Sequence, residues 1–194
     1  MTGSHLVALT LLTACGSSAS TLTEHAVGTN VGGGSMFGAD NCTYAGSPSV
    51  LAGASSGAAP GPRFVFAPGT ITQTCGDTTT EIKAIVPTGA AITGPGKLKR
   101  GSESDLFQGR LVANGRELRG EASMDWRLGK DCAGIAQLAP VLGAQDTGGR
   151  DRSRKLVATG AGTCTVILVL TTGAGSHWSF KPQVFQAEKL VTIE

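Results

Sequence analysis

Hydrophobic and polar residues alternate along short runs that are separated by glycine and proline. In the run Ser123–Leu128, the residues Met124, Trp126 and Leu128 fall on one face and polar residues fall on the other. This is the two-residue period of a β-strand, and no long segment has the 3.6-residue period of a helix. The pattern predicts an all-β sandwich with little helix. The predicted strands are 63–67, 70–75, 79–86, 105–113, 123–128, 156–159, 163–171 and 189–193.

A second alternating run lies near the C-terminus. Its apolar face consists of Cys164, Val166, Leu168 and Leu170. We expect this face and that of Trp126 to meet in one core, with the tryptophan buried close to a disulfide made by Cys164.

The N-terminus has the features of a lipoprotein signal peptide. The apolar segment Leu6–Leu12 is followed by Thr13-Ala14-Cys15 and then by glycine and serine. Small residues before a cysteine resemble the lipobox of bacterial lipoproteins, where the thiol carries lipid and the cysteine becomes the new N-terminus. The resemblance implies a signal peptide over 1–15 and lipidation at Cys15. The Ser-, Thr- and Gly-rich stretch 16–34 is predicted to be a flexible linker.

This signal lacks one usual feature. No lysine or arginine precedes Arg63, whereas secretory signals begin with a positively charged region. The alternative interpretation of Leu6–Cys15 is an ordinary buried element that ends in a cysteine. No apolar run reaches the length of about 18 residues that a membrane-spanning helix needs.

The cysteine count favours an oxidising compartment. The chain has five cysteines, and lipidation of Cys15 would leave four. Cys42 and Cys75 are 33 residues apart, and Cys132 and Cys164 are 32 apart. Two near-equal loops predict the disulfides Cys42–Cys75 and Cys132–Cys164. The alternative is four buried free thiols in a cytosolic protein.

The two cysteine pairs lie in similar contexts. In each half, the first cysteine is followed by a proline-containing apolar segment (Pro48–Ala54 and Pro140–Ala144), a glycine-rich turn and a strand with the second cysteine. The order predicts two related units. We place a reduced immunoglobulin-like unit at 35–91 and a complete sandwich at 92–194.

The second unit resembles a bacterial immunoglobulin-like (Big-type) domain. Asp125-Trp126 matches the tryptophan of the family's inter-sheet core, Val157–Val166 is similar to its penultimate strand, and Lys189–Ile193 is similar to its last strand. The resemblance implies an extracellular or cell-surface module that serves as a spacer or an adhesive part. It implies no shared catalytic residue.

Candidate chemistry is sparse. The histidines are His5, His25 and His177, of which the first two fall in the signal peptide and the linker. The sequence has no G-x-S-x-G nucleophile elbow and no arrangement of histidine with an acidic residue that would predict catalysis. His177 and Trp178 are a candidate binding loop. The carboxylate pairs Glu103/Asp105, Glu117/Glu121 and Asp146/Asp151, and the basic run Arg150–Lys155, are expected to be solvated.

Charge and composition narrow the function further. The net charge is +2 and charged residues make up 15% of the chain, which gives no basis for nucleic-acid binding. We predict no cofactor and no metal site.

The expected function is that of a non-catalytic lipoprotein of the cell envelope. It would be anchored to a membrane by its lipid, with the outer membrane or the cell surface as its location. It would serve adhesion, spacing or protein interaction. The alternative is a module that binds carbohydrate or an envelope polymer, for which Tyr44, Trp178 and the phenylalanines are the available aromatic contacts.

Overall fold

A computed structural model describes residues 23–31, 42–47, 49–51, 63–120, 122–141, 153–173 and 180–194. Within these ranges the only helical segment is the single 3-10 turn Lys130–Cys132, and 66% of the residues are in strands. The predicted fold class is confirmed. No helix in the described residues is long and apolar enough to cross a membrane.

The first unit is a small sheet covered by a two-stranded ribbon. The sheet has the order β1-β6-β5-β3, and β2 pairs with β4. Both contribute to one core, in which Val31 and Val65 meet Tyr44, Ile71 and Ile82. The unit is therefore smaller than a complete sandwich, as predicted. Its strands are β1 (Thr23–Ala26), β2 (Asn30–Val31), β3 (Cys42–Gly46), β4 (Arg63–Phe64), β5 (Gly69–Cys75) and β6 (Thr78–Ile85).

The second unit is a complete β-sandwich. Its strands are β7 (Gly89–Thr93), β8 (Lys97–Leu98), β9 (Phe107–Ala113), β10 (Arg116–Leu118), β11 (Ser123–Leu128), β12 (Ala136–Pro140), β13 (Ser153–Ala158), β14 (Gly162–Thr172) and β15 (Gln183–Ile193). One sheet has the order β7-β9-β13-β12, with β10 also paired to β9. The other has the order β8-β15-β14-β11. In the immunoglobulin arrangement one sheet has the strands A, B, E and D, and the other has G, F and C. Here β7, β9, β13 and β12 take the places of A, B, E and D, and β15, β14 and β11 take those of G, F and C.

The core of the second unit follows the predicted alternation. Cys164, Val166, Leu168 and Leu170 of β14 are all fully buried, because β14 lies between β15 and β11 in its sheet. Trp126 faces the same core and packs against the cluster that contains both Cys132 and Cys164. It is half-buried, however, and not enclosed as predicted. The cause is its place on β11, which is an edge strand of the sheet.

The structure corrects the predicted linker and unit boundary. The described part of stretch 16–34 is residues 23–31, which form β1, a turn and β2, and of which 25–29 and Val31 are buried. These residues are strand and turn, so the linker prediction is wrong for them. The boundary at 91/92 falls inside β7, whose five residues all pair with β9 of the second unit. Backbone pairing therefore assigns 89–91 to the sandwich.

Candidate functional site

Both predicted disulfides are present. Cys42 and Cys75 are direct partners in the register of β3 and β5, with a Cα–Cα distance of 4.2 Å. Cys132 ends the 3-10 turn and is joined to Cys164 of β14, with a Cα–Cα distance of 4.5 Å. Each bridge lies inside one unit and closes its core, so the pairing predicted from spacing is confirmed.

Several predicted site residues lie outside the described residues. These are the lipidation candidate Cys15 and the candidate binding loop His177 and Trp178. Glu121, Asp146, Asp151 and the first part of the basic run, up to Arg152, lie outside as well. Predictions about them stay predictions.

Two of the candidate carboxylates, Glu103 and Glu117, are engaged in ion pairs. Glu103 pairs with Lys155, and both side chains are partly exposed. Glu117 lies 3.5 Å from Arg110 on the neighbouring strand. Surface pairs of this kind contribute little to stability, with a median of about 0–1 kcal/mol. No group of three or more histidine, cysteine or acidic residues that could hold a metal ion occurs in the described part of the chain.

The aromatic side chains in the described part of the chain offer little surface to a sugar ring. Tyr44, a candidate carbohydrate contact, is only 4% exposed, and its hydroxyl accepts a hydrogen bond of 2.9 Å from the amide of Gln73. Over the described ranges, every phenylalanine and Trp126 is buried or half-buried. The structure therefore gives no support to Tyr44 as a binding contact.

Sequence reasoning missed the role of residues 23–31, which we call the joint segment. Its backbone bonds to both units. On one side, the N–H groups of Val27 and Gly28 donate to the carbonyls of Ile85 and Val65 in the first unit, at 2.9 and 2.8 Å. On the other side, the Ala26 N–H donates to Arg119 of the second unit at 2.7 Å.

Two further contacts fasten the joint segment to the second unit. Gly173 donates its N–H to the Gly28 carbonyl at 2.7 Å. The Glu24 carboxylate lies 3.2 Å from the Arg116 guanidinium, and its side chain is only 18% exposed. The joint segment is therefore bonded to both units and connects them through backbone hydrogen bonds.

His25 is buried in the joint segment and is 5% exposed. Its Nδ1 lies 3.2 Å from the Ala26 carbonyl and 3.3 Å from Thr29 Oγ1. The Thr29 hydroxyl donates its own hydrogen to the Ala26 carbonyl at 2.7 Å. Because a carbonyl only accepts, Nδ1 must carry the proton in this arrangement.

Burial lowers the pKa of His25, and the positive charge of Arg119 lowers it further, while hydrogen bonds of the ring to the backbone of Ala26 and Asn30 act in the opposite direction. The imidazole is therefore neutral near pH 7. A histidine beside a threonine hydroxyl can form a base–nucleophile pair, but Thr29 is 1% exposed and its hydroxyl hydrogen points at a carbonyl. The cluster holds the joint together and is closed to a substrate.

The aromatic residue Phe180 covers the joint segment from the second unit. It packs against the core of the first unit and meets Phe64 edge-to-face at 5.1 Å between ring centroids. Gly28, at φ +81°, lies directly beneath its ring, where a Cβ atom would come within 2.7 Å. The close approach requires glycine at this position.

No protein-family model matches the chain, and no curated protein matches it. Among solved structures, domains 4 and 5 of the S-layer protein SbsC are similar to it with a TM-score of 0.39 and 13% identity, over 83% of this chain and 81% of that chain. A structure of SbsC domains 4–9 has a TM-score of 0.38 and 16% identity, over 79% of this chain and 22% of that chain. The I9–I11 tandem of titin has a TM-score of 0.26 and 7% identity, over 89% and 62%. At scores this low the likenesses carry no conclusion about what the chain does.

Proposed function

We propose that this protein is an exported, lipid-anchored and non-catalytic module of a bacterial cell envelope, which serves as a spacer or an interaction part. The observation that carries the proposal is the distribution of the cysteines. Each β unit holds one disulfide inside its core, and the fifth cysteine, Cys15, stands at the end of a lipobox-like segment. Stable disulfides are typical of exported proteins and rare in the reducing cytosol.

The joint supports the role of a spacer. A chain that holds two units apart by a flexible linker transmits little force or orientation. Here the joint segment is hydrogen-bonded to both units, and its residues 25–29 and Val31 are buried. Two units connected in this way keep a fixed relative position, which suits a module that presents a surface at a set distance from a membrane.

Lipid labelling tests the anchor. The full chain, expressed in a bacterium and labelled with a palmitate analogue, is expected to carry label at Cys15, since a thioether-linked lipid needs that thiol. The variant Cys15→Ala should lose the label, while the control Cys42→Ala/Cys75→Ala should keep it. Label that persists in Cys15→Ala, or an unlabelled wild-type chain, would contradict the proposal.

Thiol counting tests the compartment separately from the anchor. The wild-type chain taken from whole cells and denatured without reductant should contain no thiol that reacts with a maleimide. Four cysteines would be in disulfides and Cys15 would carry lipid. If four or five thiols react, the bridges do not form in the cell, and the exported location is wrong.

A further inference from the structure

The two disulfides differ in how far they are buried. In the second unit, Cys132 is 2% exposed and Cys164 is 0% exposed. In the first unit, Cys42 is 6% exposed and Cys75 is half-buried. An incoming thiolate must reach a sulfur atom of a bridge to open it, so access decides which disulfide exchanges. The bridge of the first unit is therefore the more accessible of the two.

Position in the sheet explains this difference. Cys75 is the last residue of β5, and the exposed turn residues Gly76 and Asp77 follow it directly. Cys42 is the first residue of β3, which is an edge strand of its sheet. The bridge therefore lies at a corner of the sheet, next to solvent. Cys164, in contrast, lies within the core cluster of the second unit.

Strand β3 is attached on one side only. It pairs with β5 over Cys42–Gly46, and no other strand of the described residues pairs with it. Beyond its far end the chain is fastened again, since the Phe66 N–H donates to the Val50 carbonyl at 2.8 Å and Leu51 pairs with Val65. The disulfide is the covalent fastening at the other end, at the first residue of the strand.

We propose that the Cys42–Cys75 bridge is a redox switch that controls β3, whereas the Cys132–Cys164 bridge is structural and stays closed. The reductant is a dithiol, such as the active site of a thiol–disulfide oxidoreductase. Without it the bridge is closed. This inference goes beyond the proposed function and does not require the lipid anchor.

The exchange has two steps. The first thiolate of the dithiol attacks Sγ of Cys75, so that a mixed disulfide forms and Cys42 leaves as a thiolate, which takes up a proton. The second thiol then attacks the mixed disulfide and releases Cys75 as a thiol. The dithiol is oxidised to a disulfide, and the bridge gains two electrons and two protons.

Opening of the bridge should loosen the start of β3. Tyr44 lies two residues after Cys42, is 4% exposed, and accepts a hydrogen bond from the Gln73 amide on β5. After reduction, pairing with β5 and the burial of this ring are left to hold the strand. An edge strand with few partners opens more easily than the centre of a sheet. We therefore expect a local opening of β3 in a unit that otherwise stays folded.

Graded reduction tests the accessibility of the two bridges. The folded full chain in the Cys15→Ser background is treated with dithiothreitol, and free thiols are trapped with iodoacetamide and located by peptide mass spectrometry. Cys42 and Cys75 should become labelled together, at least about tenfold faster than the cysteines of the second bridge.

The second bridge is a matched control within the same molecule. The two pairs have sequence separations of 33 and 32 residues, so they close loops of nearly equal length. In denaturant their rates of reduction should therefore agree within about threefold. A difference that is present only in the folded chain is caused by the fold.

Amide NMR spectra test the opening of β3. Thr43 and Tyr44 are the reporters, because the signals of the cysteines change on reduction in any case. In the reduced chain, both signals should move to positions typical of an unpaired strand, while Ile82 of β6 and Leu168 of β14 keep their folded positions. The variant Cys42→Ser/Cys75→Ser lacks the bridge permanently and should give the same spectrum without reductant.

Four results would overturn the inference. Equal rates for both bridges in the folded chain would mean that the exposure of Cys75 gives no access. A folded chain in which neither bridge reacts has two structural disulfides. Unchanged signals of Thr43 and Tyr44 after reduction would mean that the bridge does not hold β3. Loss of the folded signal of Ile82 as well would mean that the bridge holds the whole unit and not one strand.

Discussion

His25 shows how a residue's role is decided by contacts that its sequence neighbours do not indicate. Its segment, Thr-Glu-His-Ala-Val, has no strong alternation and follows a run of small polar residues. Burial between two units makes it a neutral histidine that shares its Nδ1–H between a carbonyl and a hydroxyl. Only the three-dimensional arrangement supplies the partners Arg119 and Thr29.

The lowered pKa of His25 predicts a loss of stability in mild acid. Above its ordinary pKa of 6.5, the imidazole is neutral in the folded and the unfolded chain and gives no pH dependence. As the pH falls through 6.5, the unfolded chain binds a proton that the folded chain binds only at lower pH. The free energy of unfolding must therefore decrease over this window.

Chemical denaturation between about pH 7.5 and about pH 5 measures this slope. The variant His25→Gln should be less stable than wild type at neutral pH, because the amide replaces a well-packed ring, and should lose the part of the slope that His25 causes. His177→Gln is the matched control and should keep that part. An equal slope in wild type and His25→Gln would show that the buried imidazole does not titrate differently on folding.

Trp126 shows what the alternation of apolar and polar residues can predict about a single side chain and what it cannot. The period of two correctly assigned its face and its neighbourhood, including the bridge between Cys132 and Cys164. It could not give the exposure of the ring, because alternation carries no information on whether a strand is central or at an edge. Strand order depends on long-range pairing, and β11 has only one neighbour.

At the scale of elements, strands with strong alternation or clear turns were predictable. The hairpins at Gly76-Asp77 and Asn114-Gly115 link β5 to β6 and β9 to β10 through two-residue loops. The positive φ of Gly76, Asn114 and Gly115 explains why these residue types occur there. The turn residues that bound these strands therefore occur there because the turns require a positive φ.

Strands without such signals were missed. β7 has the sequence Gly-Ala-Ala-Ile-Thr and β12 ends in Pro140. Both are edge strands, held by one neighbour each. β7 begins with glycine and two alanines, and β12 has no β-branched residue, so neither has a strong local strand signal. β1 and β2 also lack a local strand signal, and their partners, β6 and β4, are distant in sequence. These strands form because a neighbouring edge is available.

A pair of glycines tests how tightly the turn after β1 is packed. Gly28 and Gly134 have nearly the same φ, +81° and +75°, but a Cβ atom at Gly28 would meet the Phe180 ring at 2.7 Å, whereas one at Gly134 meets nothing within 4 Å. Gly134→Ala should cost only the left-handed backbone, about 1 kcal/mol. Gly28→Ala adds overpacking and should cost about 1–3 kcal/mol more. Urea denaturation of the two variants compares them. Equal costs would mean that Phe180 moves away freely.

At the scale of the whole molecule, the sequence predicted two units but not their connection. Cysteine spacing and turn signals are local features, and they located both bridges and most of the sandwich. The joint depends on the pairing of Ala26 with Arg119, residues that are far apart in sequence. Such a contact leaves no periodic pattern, so the segment was assigned to a linker by composition alone.

The joint predicts that the two units unfold together. In a Cys15→Ser/Trp178→Phe background, Trp126 is the only tryptophan and reports on the second unit. Cys42→Ala/Cys75→Ala removes a bridge from the first unit, at a cost of about 3–4 kcal/mol in the chain-entropy model. Because the joint segment is bonded to both units, unfolding of the first unit removes partners of the second, and the Trp126 transition should shift to lower denaturant. The control Cys132→Ala/Cys164→Ala removes the bridge of the second unit itself, so it should shift the Trp126 transition whether or not the units are coupled.

A Trp126 midpoint that Cys42→Ala/Cys75→Ala leaves at its wild-type value would contradict the prediction. It would mean that the units fold independently and that the joint segment stabilises only one of them.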